Sequence, residues 1–306
     1  MADEPRHDAV DTPSVAAPTT PADPIPDLPP ASIVRIPGRG EIFVRRHVHP
    51  DPDAPTVLLL HGWTASADLQ FMAAYDALAE ICSFIGVDHR GHGRGIRSFD
   101  RYELEAVADD AALVCRALGV TDVIACGYSM GGPIALHLTR RHPDLVAGLI
   151  VQATALEWQA TLRERLAWRL LPVFGSAVRS WLHPHVLRRG IGRLIPDDSP
   201  LAPHRSWLGA EATRSDPRVL VEAGRALARY DARPWASTLG VPAGSLVSTR
   251  DRLVKPRKQR ALAAALSADV IEVPMDHLGT IEQPVEYAAA TAELVRRVSS
   301  AIQSSG

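Results

Sequence analysis

Asp122-Val123-Ile124-Ala125-Cys126-Gly127-Tyr128-Ser129-Met130-Gly131-Gly132-Pro133-Ile134-Ala135-Leu136-His137-Leu138 is the stretch that decides the fold. Its first five residues are mostly apolar on both faces, the pattern of a strand buried inside a parallel sheet. From Met130 onward it reads as a good helix start. Between the two, a serine stands among glycines, which leave room for strand and helix to approach closely around a sharp, strained turn. A serine held there is a candidate nucleophile at the sheet's edge, the alternative being a serine that merely caps the helix.

Outward from this junction the same short runs recur. Thr56–Leu60 and Ser83–Val87 precede it, and 147–151, 244–248 and 269–273 follow, each leading into a turn and a helical stretch. Leu104, Val107, Ala111, Val114 and Leu118 are spaced three or four apart, which predicts a helix ending near Gly119. Ahead of these runs, 32–36 and 41–45 alternate around Pro37-Gly38-Arg39-Gly40 and predict an antiparallel hairpin. Strand and helix in alternation predict an α/β fold with a mostly parallel central sheet flanked by helices.

The alternation stops between about 156 and 236, where helical patterns dominate. Trp158, Leu162, Leu166 and Leu170 recur every fourth residue, and Ser215-Asp216-Pro217 reads as the cap and first turn of a helix running to Tyr230. An inserted helical cap over the C-terminal edge of the sheet is expected, since α/β sheets bind ligands there. The expected division is a core of 31–155 and 237–300, a cap of 156–236 and a disordered tail of 1–30, rich in Pro, Asp, Ala and Thr.

Bulk composition excludes several classes. A chain of 306 residues with 46% hydrophobic content supplies a sizeable core, and a formal charge of −2 provides no field to draw in nucleic acid. Cys82, Cys115 and Cys126 sit in apolar runs away from metal or disulfide spacings, so free buried thiols and a reducing compartment are expected. Met1–Pro5 is acidic where a secretion signal is basic, and no run reaches the roughly 18 apolar residues of a spanning helix. A cytoplasmic protein without a transmembrane segment is the expectation, with no cofactor and no metal. His183 and His185 flank a proline with no carboxylate or cysteine beside them, a poor metal site.

A serine hydroxyl attacks only when a base takes its proton and an acid holds that base in the right tautomer. Asp251 lies in the loop after the 244–248 run and His277 in the loop after the 269–273 run, both at C-terminal strand ends. Ser129, Asp251 and His277 then stand in the chain order of an α/β triad. Asp276 and Glu157 are the rival acids. The backbone N–H of Met130 offers one oxyanion donor, and Gly62 lets the N–H of Trp63 turn inward as the second. His61, at the strand end beside that hole, is a loop-orienting residue rather than a second base. Trp63's indole has two open readings, lining of an acyl pocket and core packing.

His61-Gly62-Trp63, the Asp88–Gly95 loop, Gly127–Gly132, Asp251-Arg252-Leu253-Val254, and His277 with Glu282-Gln283-Pro284 together resemble the capped α/β-hydrolase family over about residues 32–298. In that family the Asp88–Gly95 loop is structural, so no catalytic role passes to His89, Arg90 or His92. Gly95 stands where many relatives have serine, which bears only on a loop hydrogen bond. The resemblance implies acyl chemistry through a covalent acyl-enzyme. Haloalkane dehalogenases and epoxide hydrolases are similar but carry aspartate at the position of Ser129, so alkyl transfer is disfavoured.

The expected activity is hydrolysis of a small carboxylic ester, carboxylesterase- or lipase-like, with water as the second reactant. Carbon–carbon bond hydrolysis, lactonase, perhydrolase and acyltransferase activity use the same triad, and a ligand sensor on the same scaffold is the non-enzymatic alternative. Thirteen arginines against eight acidic residues in 157–234 give the expected cap a positive excess. Arginines on a solvated helical surface account for such an excess, and anionic ligands or lipid headgroups are the alternative reading.

Overall fold

Period-two geometry sends successive strand side chains to opposite faces, and in the central strands both faces are apolar. In β3 (Thr56–Leu60), Val57 and Leu59 point into one core while Leu58 and Leu60 point into the other. The computed structural model describes residues 24–159, 162–170 and 184–305. Its sheet has eight strands: β1 (Ala31–Ile36), β2 (Gly40–His47), β3, β4 (Ser83–Val87), β5 (Val123–Tyr128), β6 (Val146–Gln152), β7 (Ala243–Ser248) and β8 (Asp269–Val273). They lie in the order β1-β2-β4-β3-β5-β6-β7-β8. The β1–β2 hairpin is antiparallel and β2 joins β4 antiparallel, while every pair from β4 to β8 is parallel.

Among the described residues the α-helices in chain order are α1 (Ala67–Phe71), α2 (Tyr75–Ala79), α3 (Leu104–Ala117), α4 (Gly131–Arg141), α5 (Leu162–Leu170), α6 (Pro184–Leu194), α7 (Arg205–Glu211), α8 (Pro217–Arg229), α9 (Pro256–Ala265), α10 (Gly279–Glu282) and α11 (Pro284–Ser305). One core lies between the sheet and α3, α4 and α8, through residues such as Val107, Val114, Ile134, Leu138 and Ala223. The other lies under α2 and α11, through Leu78, Tyr287, Leu294 and Val298. Helices on both faces explain why β5 is buried at all six positions.

The sequence signals place the strands to within a few residues. β5 runs two residues past the expected end because Gly127 and Tyr128 still pair with Val151 and Gln152 of β6. The strand therefore delivers the chain directly to Ser129. In α8, Asp216 caps the first turn by accepting the Arg218 N–H at 2.9 Å, with Pro217 at the first helical position as expected. The row from Trp158 to Leu170 behaves differently. Trp158 precedes α5 and is buried, whereas Leu162 and Leu166 on α5 are 81% and 56% exposed.

Between β6 and β7 the described residues contribute helices and one isolated bridge, Glu157 with Asp231. Many side-chain contacts tie this segment down, among them the following. Arg94 pairs with buried Glu211 of α7 and reaches Asp68 at 3.4 Å. Lys258 of α9 meets Glu157 at 3.3 Å and Glu164 of α5 at 2.9 Å. The Trp63 indole N–H donates to the Leu220 carbonyl of α8 at 2.8 Å.

Of the expected tail, residues 1–23 lie outside the described residues. Residues 24–30 carry no regular structure but hold polar contacts to the body of the protein. Arg45 donates to the Pro29 carbonyl at 2.9 Å, and the His204 ring to that of Pro24 at 2.7 Å. Among the described residues no helix is long and apolar enough to cross a membrane.

Candidate active site

Ser129 has a φ of +52°, a left-handed conformation that costs a non-glycine residue on the order of 1–3 kcal/mol and persists only where its surroundings enforce it. The enforcement is visible on both sides. Ser129 N–H donates to the Gln152 carbonyl at the end of β6 at 2.9 Å, and its carbonyl accepts from Gly132 N–H at 3.0 Å. A Cβ on Gly131 would run into the Leu60 carbonyl, and one on Gly127 into the Gly131 carbonyl. Strand and helix meet here at a separation only glycine allows. The N-cap position of α4 is Met130, not Ser129, and it makes no side-chain cap bond.

The Ser129 hydroxyl meets His277, with Nε2 3.0 Å from Oγ. The other ring nitrogen of His277, Nδ1, lies 2.8 Å from Oδ2 of Asp251. Asp251 is buried, and its Oδ1 accepts the N–H groups of Leu253 and Val254, both at 2.8 Å. Three residues far apart in sequence thus form one hydrogen-bonded chain at the C-terminal edge of the sheet. With Asp251 accepting from Nδ1–H, Nε2 of a neutral His277 faces the serine as an acceptor, the tautomer a general base requires.

The rival acids are engaged elsewhere. Asp276 accepts the backbone N–H groups of His277 at 2.7 Å and Arg252 at 3.1 Å, bracing the loop rather than meeting the ring. Glu157 pairs with Lys258. The Tyr128 hydroxyl adds a further brace that sequence reasoning missed, donating to the His277 carbonyl at 2.8 Å. Nothing local in the sequence signals that contact, since the two residues meet across β5 and the loop after β8.

Met130 follows Ser129 at the start of α4, and Trp63 follows Gly62 in the loop after β3. Neither backbone N–H has a hydrogen-bond partner among the described residues. A Cβ on Gly62 would lie 3.3 Å from the Ser129 Cβ and 3.0 Å from Gln70 Oε1, so the two loops pass close to each other. The indole of Trp63 is bonded to Leu220 and packs against the first core.

Behind the site sit three buried histidines. His61 Nδ1 donates to the Gly62 carbonyl at 2.8 Å, while its Nε2 accepts the His89 N–H at 3.0 Å. With both nitrogens committed to backbone, His61 orients the loop and is not a spare base. Burial, aided by the neighbouring rings of His89 and His92, holds its pKa well below the usual range. Burial likewise pushes His89 down to about 3 and His92 to about 4. Asp88 accepts the N–H groups of Ala67 and Arg94, both at 2.7 Å, and burial raises its pKa to about 6. A Cβ on Gly95 would strike the carbonyls of His89 and Asp88, so a serine there would need a different loop path.

Among the described residues no group of three or more His, Cys, Asp or Glu is placed to hold a metal ion. His183 lies outside the described residues. Cys82, Cys115 and Cys126 are buried and free, and burial pushes the thiols of Cys82 and Cys115 up to about 12.

The fold is a mostly parallel sheet covered on both faces, and at its C-terminal edge a strained serine stands against a histidine and a buried aspartate. A family model described as alpha/beta hydrolase fold matches residues 55–284, and the chain belongs to that family. It is 30% identical over 224 residues to the pimeloyl-[acyl-carrier protein] methyl ester esterase of Neisseria meningitidis, covering 67% of this chain and 79% of that protein. Over 92 residues it is 34% identical to a bifunctional esterase/perhydrolase of Acinetobacter calcoaceticus, covering 30% of this chain. The matches to that protein and to a Bacillus subtilis relative span about a third of their lengths, 33% and 32%. An esterase structure from Exiguobacterium antarcticum is similar with a TM-score of 0.73 at 20% identity, over 87% of this chain and 99% of that one.

Proposed function

We propose that this hydrolase cleaves carboxylic esters through a covalent acyl-enzyme on Ser129. The observation that carries the reading is the continuous chain from Ser129 Oγ through His277 to Asp251, at 3.0 Å and 2.8 Å. His277 Nε2 takes the serine proton as Oγ attacks the ester carbonyl. Asp251 stabilises the imidazolium that forms. The backbone N–H groups of Met130 and Trp63 receive the oxyanion, and Met130 gains further from its place at the N-terminal end of α4. His277 then returns the proton to the leaving alcohol, and a water activated by the same ring releases the acid.

Residues 156–236 act as a cap that shapes the acyl pocket, with Trp63 joining the oxyanion loop to it. The three free, buried thiols accord with a reducing compartment, which favours a cytoplasmic protein. The esterase names of its relatives favour an ester as substrate. Product analysis with an added alcohol separates hydrolysis from acyl transfer.

The test is turnover of p-nitrophenyl esters of increasing chain length by wild type and Ser129→Ala. Loss of the nucleophile lowers kcat by several orders of magnitude. Wild-type turnover in the alanine variant would overturn the proposal.

A further inference from the structure

Asp251 takes four donors, two on each oxygen. Leu253 and Val254 N–H meet Oδ1, and both come from the turn that Asp251 itself begins. His277 Nδ1 meets Oδ2, and the fourth donor is Nε2 of Gln259, at 3.0 Å from Oδ2. Gln259 stands in the first turns of α9, away from the acid's own loop, and is 2% exposed.

The orientation of its amide is determined by the groups around it. Ser248 N–H, at the end of β7, needs an acceptor and finds Gln259 Oε1 at 2.9 Å. The Val254 carbonyl needs a donor and finds Nε2 at 2.7 Å. An amide nitrogen carries two hydrogens, so the second is left for Asp251. A clip that only joined β7 to the 251–254 turn would need Oε1 and the first hydrogen alone. The second is spent on the same carboxylate oxygen that bonds His277. Lys258, one residue earlier, is held between Glu157 and Glu164 and fixes this end of the helix.

We infer that Gln259 is a positioning residue for catalysis, a buried amide that fixes the carboxylate plane of Asp251 so that Oδ2 faces His277 Nδ1. The inference rests on the proposed triad. It concerns a residue that touches neither substrate nor the reacting atoms. Its effect passes through Asp251 to the orientation of the base, and so falls on kcat rather than on substrate binding.

The discriminating variant is Gln259→Glu, which keeps an acceptor for Ser248 N–H and nearly the same shape but sets a second carboxylate against Asp251. At about pH 8 the expected kcat on a p-nitrophenyl ester falls roughly 10- to 100-fold, the loss of one hydrogen bond to a charged group, with KM within about twofold. As the pH is lowered towards about 5, the introduced carboxyl takes a proton and again donates, so the deficit relative to wild type shrinks. Gln259→Leu removes the donor altogether, and its kcat deficit persists at every pH in samples that circular dichroism shows to be folded. A wild-type kcat in Gln259→Glu, a deficit independent of pH, or a change confined to KM would overturn the inference. Ser129→Ala is measured alongside. If it stays active, the reading of the site falls and this inference with it; if it is inactive while Gln259→Glu behaves as wild type, only the inference on Gln259 falls.

Discussion

At the β5–α4 junction the polypeptide is held by backbone, with Ser129 hydrogen-bonded to Gln152 and Gly132 and with glycines packed against neighbouring carbonyls. In the segment between β6 and β7, α5 exposes Leu162 and Leu166 and is tied to α9 through Glu164 and Lys258. The first region tolerates almost no displacement, because each contact is a hard-sphere or hydrogen-bond constraint. The second is held by side chains, through that ion pair and through Trp168, which packs against the first core and donates its indole N–H to the Trp158 carbonyl at 3.1 Å. A fold of this kind hosts many functions, so the function is argued from the site and not from the fold.

The largest effect expected of this contrast falls on the side of Ser129. Asp251→Asn leaves the packing intact but lets the ring of His277 settle in the wrong tautomer. Its kcat is expected to drop about 10³- to 10⁴-fold, a scale known from other Ser-His-Asp enzymes. Thermal denaturation of the same variant, expected to show a cost of about 1–3 kcal/mol because the new amide faces the Gln259 donor, separates catalytic damage from unfolding.

Next comes the join between the two regions. Arg94 contacts Glu211, Asp68 and Asp88, all buried carboxylates. Arg94→Met leaves Glu211 with half-exposed Arg214, at 2.6 Å, and the Ser66 hydroxyl, at 3.5 Å, and is expected to cost about 3 kcal/mol in chemical denaturation. A cost near zero would mean that the helical segment is held by apolar packing instead.

The buried histidines behind the site predict a loss of stability in acid. Unfolded, each histidine takes a proton below about pH 6.5, whereas in the folded chain burial keeps His92 neutral down to about 4 and His89 to about 3. The unfolded state therefore binds more protons in that window, and stability falls as the pH falls through it. Asp88, raised from 3.8 to about 6, acts in the opposite sense between those two values, because there the folded state holds the extra proton. His61, His89 and His92 outnumber Asp88, so the net loss is on the order of 1.4 kcal/mol per pH unit per net proton. Melting temperatures between about pH 7 and 4.5 check this; a flat profile would show that the ring cluster stays hydrated.

Trp63→Phe is the mildest probe. It removes the indole donor to Leu220 while keeping an aromatic ring, and is expected to cost about 1 kcal/mol in stability. KM should change more than kcat, because the backbone N–H remains. A selective fall in kcat would show that the contact with Leu220 also positions the Trp63 backbone N–H.

The same contrast explains what was legible in the sequence. Strand positions and the serine junction follow from local constraints: apolar runs on two faces, and glycines where a Cβ would strike a carbonyl. Asp251 and His277 were legible because each follows a strand and so faces the same edge. Gln259, Tyr128 and the pairing of Lys258 with Glu164 were not, since each acts across more than one element and no spacing encodes it. The row of leucines on α5 misleads in isolation, because a four-residue period marks a helix without saying which face is buried.

The most direct measurement is covalent. Wild type treated with an alkyl fluorophosphonate should lose esterase activity in step with one phosphonyl adduct, located by peptide mass spectrometry on Ser129. Ser129→Ala should take up none, and Asp251→Asn should react far more slowly. An adduct on another residue, or full turnover after Ser129 is labelled, would contradict the assignment of Ser129 as nucleophile.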